Sequence, residues 1–151
     1  MPTKQRIKLI AQGGLVVDLP MIAAVDFSAC ATAQYRFVTP GSIVGEVVLA
    51  TGASNPAPLG VLQNLPAPGQ PARVRVFGIS TMIACTPATC NLLNGTYISA
   101  GSNGAACAAG ALGVVLGRWL SASIASGACT ATGCAFINCA GFGSACPGAA
   151  S

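Results

Sequence analysis

Arg73-Val74-Arg75-Val76, continuing as Phe77-Gly78-Ile79-Ser80, alternates charged and aliphatic side chains with a period of two. In an extended chain that period sends Val74 and Val76 to one face and both arginines to the other, the pattern of a half-buried strand. Upstream lies a second apolar run, Pro58-Leu59-Gly60-Val61-Leu62-Gln63-Asn64, and between the two stands Pro66-Ala67-Pro68-Gly69. Pro58 can open a strand at its edge, Gly60 admits a neighbouring backbone closely, and the Pro66 to Gly69 turn reverses the chain into the Arg73 strand. The three pieces read as a β-hairpin.

The same grammar extends in both directions. Gly (19 residues) and Pro (10 residues) recur throughout and leave short β-branched or aromatic segments at 14–19, 34–39, 43–51, 58–63, 72–84, 96–99, 104–108, 112–121 and 135–138. Turn signals separate them at 51–56, 66–69, Asn94-Gly95 and 101–104. No helical periodicity intervenes beyond at most one turn at 121–126. The expected fold is therefore all-β, a small β-sandwich or β-barrel-like domain with extended N- and C-terminal arms. Residues 1–13 read as a basic arm carrying Lys4, Arg6 and Lys8, 14–139 as the β-rich domain, and 140–151 as a Gly/Ala/Ser-rich tail.

Composition narrows the function. The 151 residues, enough for one domain around one core, include seven Lys or Arg, three Asp or Glu and no His, and 53% are hydrophobic. Mean hydropathy is +0.69. Ordinary protein surfaces are about a quarter to a third charged, so this chain presents an unusually neutral exterior, one suited to coverage by neighbouring subunits. A membrane-spanning helix needs about 20 nearly continuous apolar residues; Asp18 and Pro20 break the first candidate run and Arg118 the second. A signal peptide is disfavoured because Gln12, Gly13, Gly14, Asp18 and Pro20 interrupt the apolar stretch that follows the basic residues. Without His, neither a Ser-His-Asp nor a Cys-His arrangement can form within the chain, and no nucleotide-binding glycine motif occurs. The net charge of +4 is too sparse for a nucleic-acid footprint. Arg73, Arg75 and Arg118 join the basic arm as interface candidates, with Trp119, the sole Trp, as a core or interface anchor.

Eight cysteines remain: Cys30, Cys85, Cys90, Cys107, Cys129, Cys134, Cys139 and Cys146. Zinc knuckles use short C-x₂₋₄-C spacings in pairs, and Cys85/Cys90 and Cys129/Cys134 reach the wide limit of that range. Their small neutral loops, with Pro or Gly, suit disulfide-closed turns better, so disulfides are expected and metal is not. Eight cysteines allow 105 pairings; the pairing taken as the working expectation is Cys85–Cys90, Cys129–Cys134, Cys139–Cys146 and Cys30–Cys107. Persistent disulfides would place the working environment outside a reducing cytosol.

The central segment resembles the capsid cement (head decoration) proteins of tailed bacteriophages. The likeness starts at Gln34-Tyr35-Arg36-Phe37-Val38 and is most specific over the Pro58 and Arg73 blocks already quoted. It resumes at Asn94-Gly95, Asn103-Gly104 and Leu116-Gly117-Arg118 with Ser121-Ala122-Ser123. The resemblance implies a small β-rich subunit, commonly a symmetric oligomer, seated on the outer capsid surface of the virion, where it bridges major capsid protein subunits, with no cofactor and no catalytic residue; a homotrimer is the expected assembly. Two departures stand out: the cysteine-bearing segment 129–134 looks inserted, and 139–151 looks appended. The alternative reading is an exported, disulfide-stapled surface or matrix protein.

Overall fold

The short apolar runs become nine strands in a computed structural model that describes residues 15–52, 58–85, 92–109, 114–121 and 129–139. They are β1 (Val17–Ala23), β2 (Phe37–Pro40), β3 (Glu46–Leu49), β4 (Gly60–Leu62), β5 (Pro71–Cys85), β6 (Tyr97–Ala100), β7 (Ala106–Ala108), β8 (Gly117–Trp119) and β9 (Cys129–Asn138). No helix occurs among the described residues. The hairpin expected from the sequence is present, with Val61 opposite Arg75 and Leu62 opposite Val74. Val74 and Val76 are buried while Arg73 is exposed, as the alternation requires. At Gly60 a Cβ would stand 2.4 Å from the Arg75 carbonyl oxygen, so only glycine allows β4 and β5 to meet there.

The strand order β1-β3-β2-β4-β5-β7-β6-β8-β9 closes on itself twice, because β5 also pairs with β1 and with β9. The result is two barrel-like circuits that share β5, one made by β1 to β5 and the other by β5 to β9. Closing a sheet removes its edges, and with them the unpaired N–H and C=O rows that invite adventitious strand pairing. The fifteen residues of β5 make this possible: its first half pairs with β1 as far as Phe77 opposite Val17, and from Phe77 opposite Asn138 onward it pairs with β9. Gly78 sits at that change of partner with φ +111°. A Cβ on Gly78 would lie 2.6 Å from the Leu15 carbonyl oxygen, so both the backbone conformation and the crowding select glycine.

The single core expected from chain length is two. Val38, Val47, Leu62, Val74 and Val76 fill the first circuit together with Phe27. Met82, Leu92, Ile98, Trp119 and Ile137 fill the second, joined by Phe37 of β2 and Val61 of β4 from strands of the first circuit. The strand β5 supplies both, Val74 and Val76 to the first and Met82 and Ala84 to the second. Trp119 is fully buried; it is a core anchor, which removes it from the interface candidates.

Several strand boundaries differ from expectation, and the pairing explains those of β1 and β9. β1 runs through Pro20, which faces Arg73 on β5. β3 pairs with β1 only at Ile22 and Ala23, so the missing proline N–H falls on a stretch of edge that the β3 ladder does not use. β9 begins at Cys129 rather than at 135, since its backbone pairs with β5 from end to end. The expected 129–134 loop is therefore extended chain, about 17 Å long at 3.3–3.4 Å per residue, and a Cys129–Cys134 disulfide is excluded by that length. The basic arm with Lys4, Arg6 and Lys8, the tail with Cys146, Cys90 and the helical turn expected at 121–126 beyond residue 121 lie outside the described residues.

Candidate interaction surfaces

The arginines placed on one face by alternation do not form a free cationic patch. Arg75 Nε donates to Asp18 Oδ1 at 2.8 Å, Nη2 donates to Oδ2 at 3.1 Å, and Nη1 donates to the Ile79 carbonyl at 2.8 Å. Arg73 Nε approaches the same carboxylate at 3.5 Å from a far more exposed position. Arg36 donates to the Asn103 carbonyl at 3.1 Å and to that of Thr32. Each of these guanidinium groups holds the fold together. Asp26 is likewise engaged: Ser28 Oγ and the Ser28 and Ala29 amides donate to it, which holds its carboxyl below the usual value, chiefly through the Ser28 hydroxyl.

Arg118 is different. It stands at the centre of β8 between buried Gly117 and Trp119 and points outward, opposite Tyr97 of β6 and Phe136 of β9. Its guanidinium carbon lies 4.6 Å from the centroid of the Tyr97 ring, a stacking distance at which a cation is attracted to the π face. Its Nη2 donates to Tyr97 Oη at 2.6 Å. Beside this pair opens a shallow cleft of about 530 Å³ whose lining includes Gly117, Leu120, Phe136 and Asn138. Among the described residues its lining holds one cation, the Tyr97 hydroxyl and an amide, and no carboxylate or thiol. The chemistry available there is binding: an apolar floor with a cation at the rim.

A second exposed feature lies on the other circuit. In the turn between β2 and β3, Ile43 is 63% exposed and Val44 fully exposed. The turn is nonetheless pinned, with Glu46 N donating to Ile43 O at 3.1 Å, Ile22 N to Gly45 O at 2.9 Å and Gly41 N to Glu46 O at 2.8 Å. Two β-branched side chains held in water by a hydrogen-bonded turn form a preset apolar knob.

The cysteines correct the disulfide expectation. Cys30, Cys134 and Cys139 carry free thiols, so the pairings Cys30–Cys107, Cys129–Cys134 and Cys139–Cys146 are not formed. The Cys107 thiol donates to the Ser99 carbonyl at 3.7 Å. No two of the cysteines whose side chains are described lie at bonding distance. Cys30 is exposed, and its sulfur lies 3.0 Å from Thr32 Oγ1; that hydrogen bond first, with the Thr32 backbone and the Arg36 charge adding, lowers its pKa. Cys139 packs against the second core, and burial pushes its thiol up to about 12. Among the described residues no group of three or more His, Cys, Asp or Glu is placed to hold a metal ion, and no helix is long and apolar enough to cross a membrane.

Sequence reasoning found Arg118 but missed Tyr97, Ile43, Val44 and Glu46. The 43–51 run reads as one strand, which hid its first three residues in a turn; the available signal was Gly45, a turn residue inside an otherwise apolar stretch.

Two closed β circuits that share one strand define an all-β module. In three dimensions the chain is similar to the N base of the head fiber gp8.5 of bacteriophage phi29, with a TM-score of 0.55 and 17% sequence identity, over 83% of this chain and 96% of that one. No family model and no curated protein matches the chain.

Proposed function

We propose that this chain is a structural protein of a bacteriophage head. The observation that carries the reading is the fold shared with a head-fiber base over 83% of this chain and 96% of that one. The sparsity of charge, ten ionised side chains in 151 residues, supports it independently, because a protein embedded in a shell lattice needs little solvated surface of its own. On this reading the chain is a non-enzymatic cement protein on the outer capsid surface of the virion, a homotrimer that bridges major capsid protein subunits. The neighbour is a head fiber, so the decoration role rests on the sequence resemblance and on the apolar contact features of the two circuits. The rival, an exported disulfide-stapled protein, is disfavoured by the exposed free thiols of Cys30 and Cys134. Mixing the purified full-length chain with heads that lack it tests the proposal. Saturable binding at a fixed ratio to the major capsid protein is expected, and absence of binding overturns it.

A further inference from the structure

We propose that the 41–46 turn of one copy docks into the Arg118 cleft of a second copy, with Ile43 and Val44 on the apolar floor and the Glu46 carboxylate against the Arg118 guanidinium. The inference deepens the oligomeric part of the reading above by naming the contact that would build the oligomer.

Charge complementarity selects the occupant. The chain has three acids. Asp18 is held by Arg75 and Arg73, and Asp26 by Ser28 and Ala29. Glu46, two residues from the knob, makes no ion pair or side-chain hydrogen bond among the described residues. Among the described residues, Arg36, Arg73 and Arg75 are engaged within the subunit, whereas Arg118 meets only neutral Tyr97; Lys4, Arg6 and Lys8 lie outside the described residues. Among the described residues, the acid without a counterion thus flanks an exposed apolar turn, and the cation without one flanks the apolar cleft. Tyr97 already orients the guanidinium, so little side-chain freedom is lost when a carboxylate arrives.

Topology makes the contact intermolecular. The knob belongs to the circuit of β1 to β5 and the cleft to the circuit of β5 to β9, two parts of one fold joined through β5. A knob on one surface and a cleft on another form a head-to-tail contact, which closes into a ring when the rotation between copies permits. Three copies would satisfy the homotrimer. Every copy then offers one knob and fills one cleft, and the apolar side chains exposed in the isolated subunit become buried.

Sedimentation velocity and native mass spectrometry of the full chain, over a range of concentrations, test the contact. Glu46→Arg and Arg118→Glu are each expected to weaken self-association by at least about tenfold, and the double exchange to restore it to within about threefold, since close interfacial charge pairs couple strongly. Val44→Asp is expected to leave monomers. Unchanged circular dichroism and melting temperature certify folding of each variant. Single exchanges that leave the oligomer intact, or a double exchange no better than the singles, overturn the inference. If Arg118→Glu abolishes uptake onto heads without altering self-association, the cleft takes a capsid loop and the self-docking is overturned. A wild-type chain that stays monomeric yet binds heads also overturns it while leaving the head reading intact; a chain that oligomerises through this pair but never binds heads does the reverse.

Discussion

Arg75 of β5 grips Asp18 of β1 through two parallel hydrogen bonds, Nε to Oδ1 at 2.8 Å and Nη2 to Oδ2 at 3.1 Å, across 57 residues of sequence. This fork lies on the seam that closes the first circuit, with Asp18 directly opposite Arg75 in the β1–β5 ladder. Hydrogen bonds between charged partners contribute about 1.5–3 kcal/mol when well formed, and partial solvent exposure of this pair brings the figure toward the lower end. Asp18→Asn is therefore expected to cost about 1–2 kcal/mol in urea unfolding. Arg73→Gln, which removes a longer and more exposed contact to the same carboxylate, is expected to change stability by less than about 0.5 kcal/mol. Equal effects from the two variants would contradict the assignment of the seam to Arg75.

Gly78 provides a test of the shared strand. Its φ of +111° is strained for any L side chain, and a methyl group would meet the Leu15 carbonyl oxygen at 2.6 Å. Gly78→Ala is expected to destabilise by about 1–3 kcal/mol, read as a lower urea midpoint. A variant as stable as the parent would mean that β5 does not change partners there.

Thiol chemistry should sort by environment. Under native conditions iodoacetamide is expected to modify Cys30 before Cys139, because the Thr32 hydrogen bond favours the Cys30 thiolate while burial keeps the Cys139 thiol protonated; only thiolates react appreciably. Peptide mapping after brief alkylation reads the order. Modification of Cys139 at the rate of Cys30 in the folded chain would refute it.

Cys139 also predicts an alkaline limit. Folding raises its pKa from the ordinary 9.0 to about 12, so between those values the unfolded chain releases a proton that the folded chain keeps. Stability is full below pH 9 and falls as pH rises toward 12, by up to about 1.4 kcal/mol per unit from this group. Cys139→Ser, whose hydroxyl does not ionise there, is expected to flatten that part of the pH–stability profile. An unchanged slope would assign the alkaline loss to other groups.

How much of this was legible in the sequence follows from which forces act locally. The nine strand locations could be read because each apolar run is bounded by Gly, Pro or Asn turn residues, and the alternation at Arg73 named the core face of β5 in advance. Closure into two circuits could not be read, since it depends on β1 and β9 finding the two halves of one strand, and pairing partners leave no mark on local periodicity. The cysteine spacing misled for a related reason: Cys129 and Cys134 look like the neck of a loop only if the intervening Thr-Ala-Thr-Gly is a turn, and tertiary pairing with β5 draws it out straight. Arg118 was a candidate as one of the few basic residues of the chain. Its ring partner Tyr97, 21 residues away, became visible only when β6 and β8 were set side by side.

The most direct measurement is a cryo-electron microscopy map of the particle to which this chain belongs. The account predicts density for the double-circuit fold on the outside of the head, in symmetry-related groups of three, with the knob of each copy against the Arg118 cleft of the next. A mature particle whose shell carries no such density, while the chain is recovered elsewhere as a separate monomer, would contradict it.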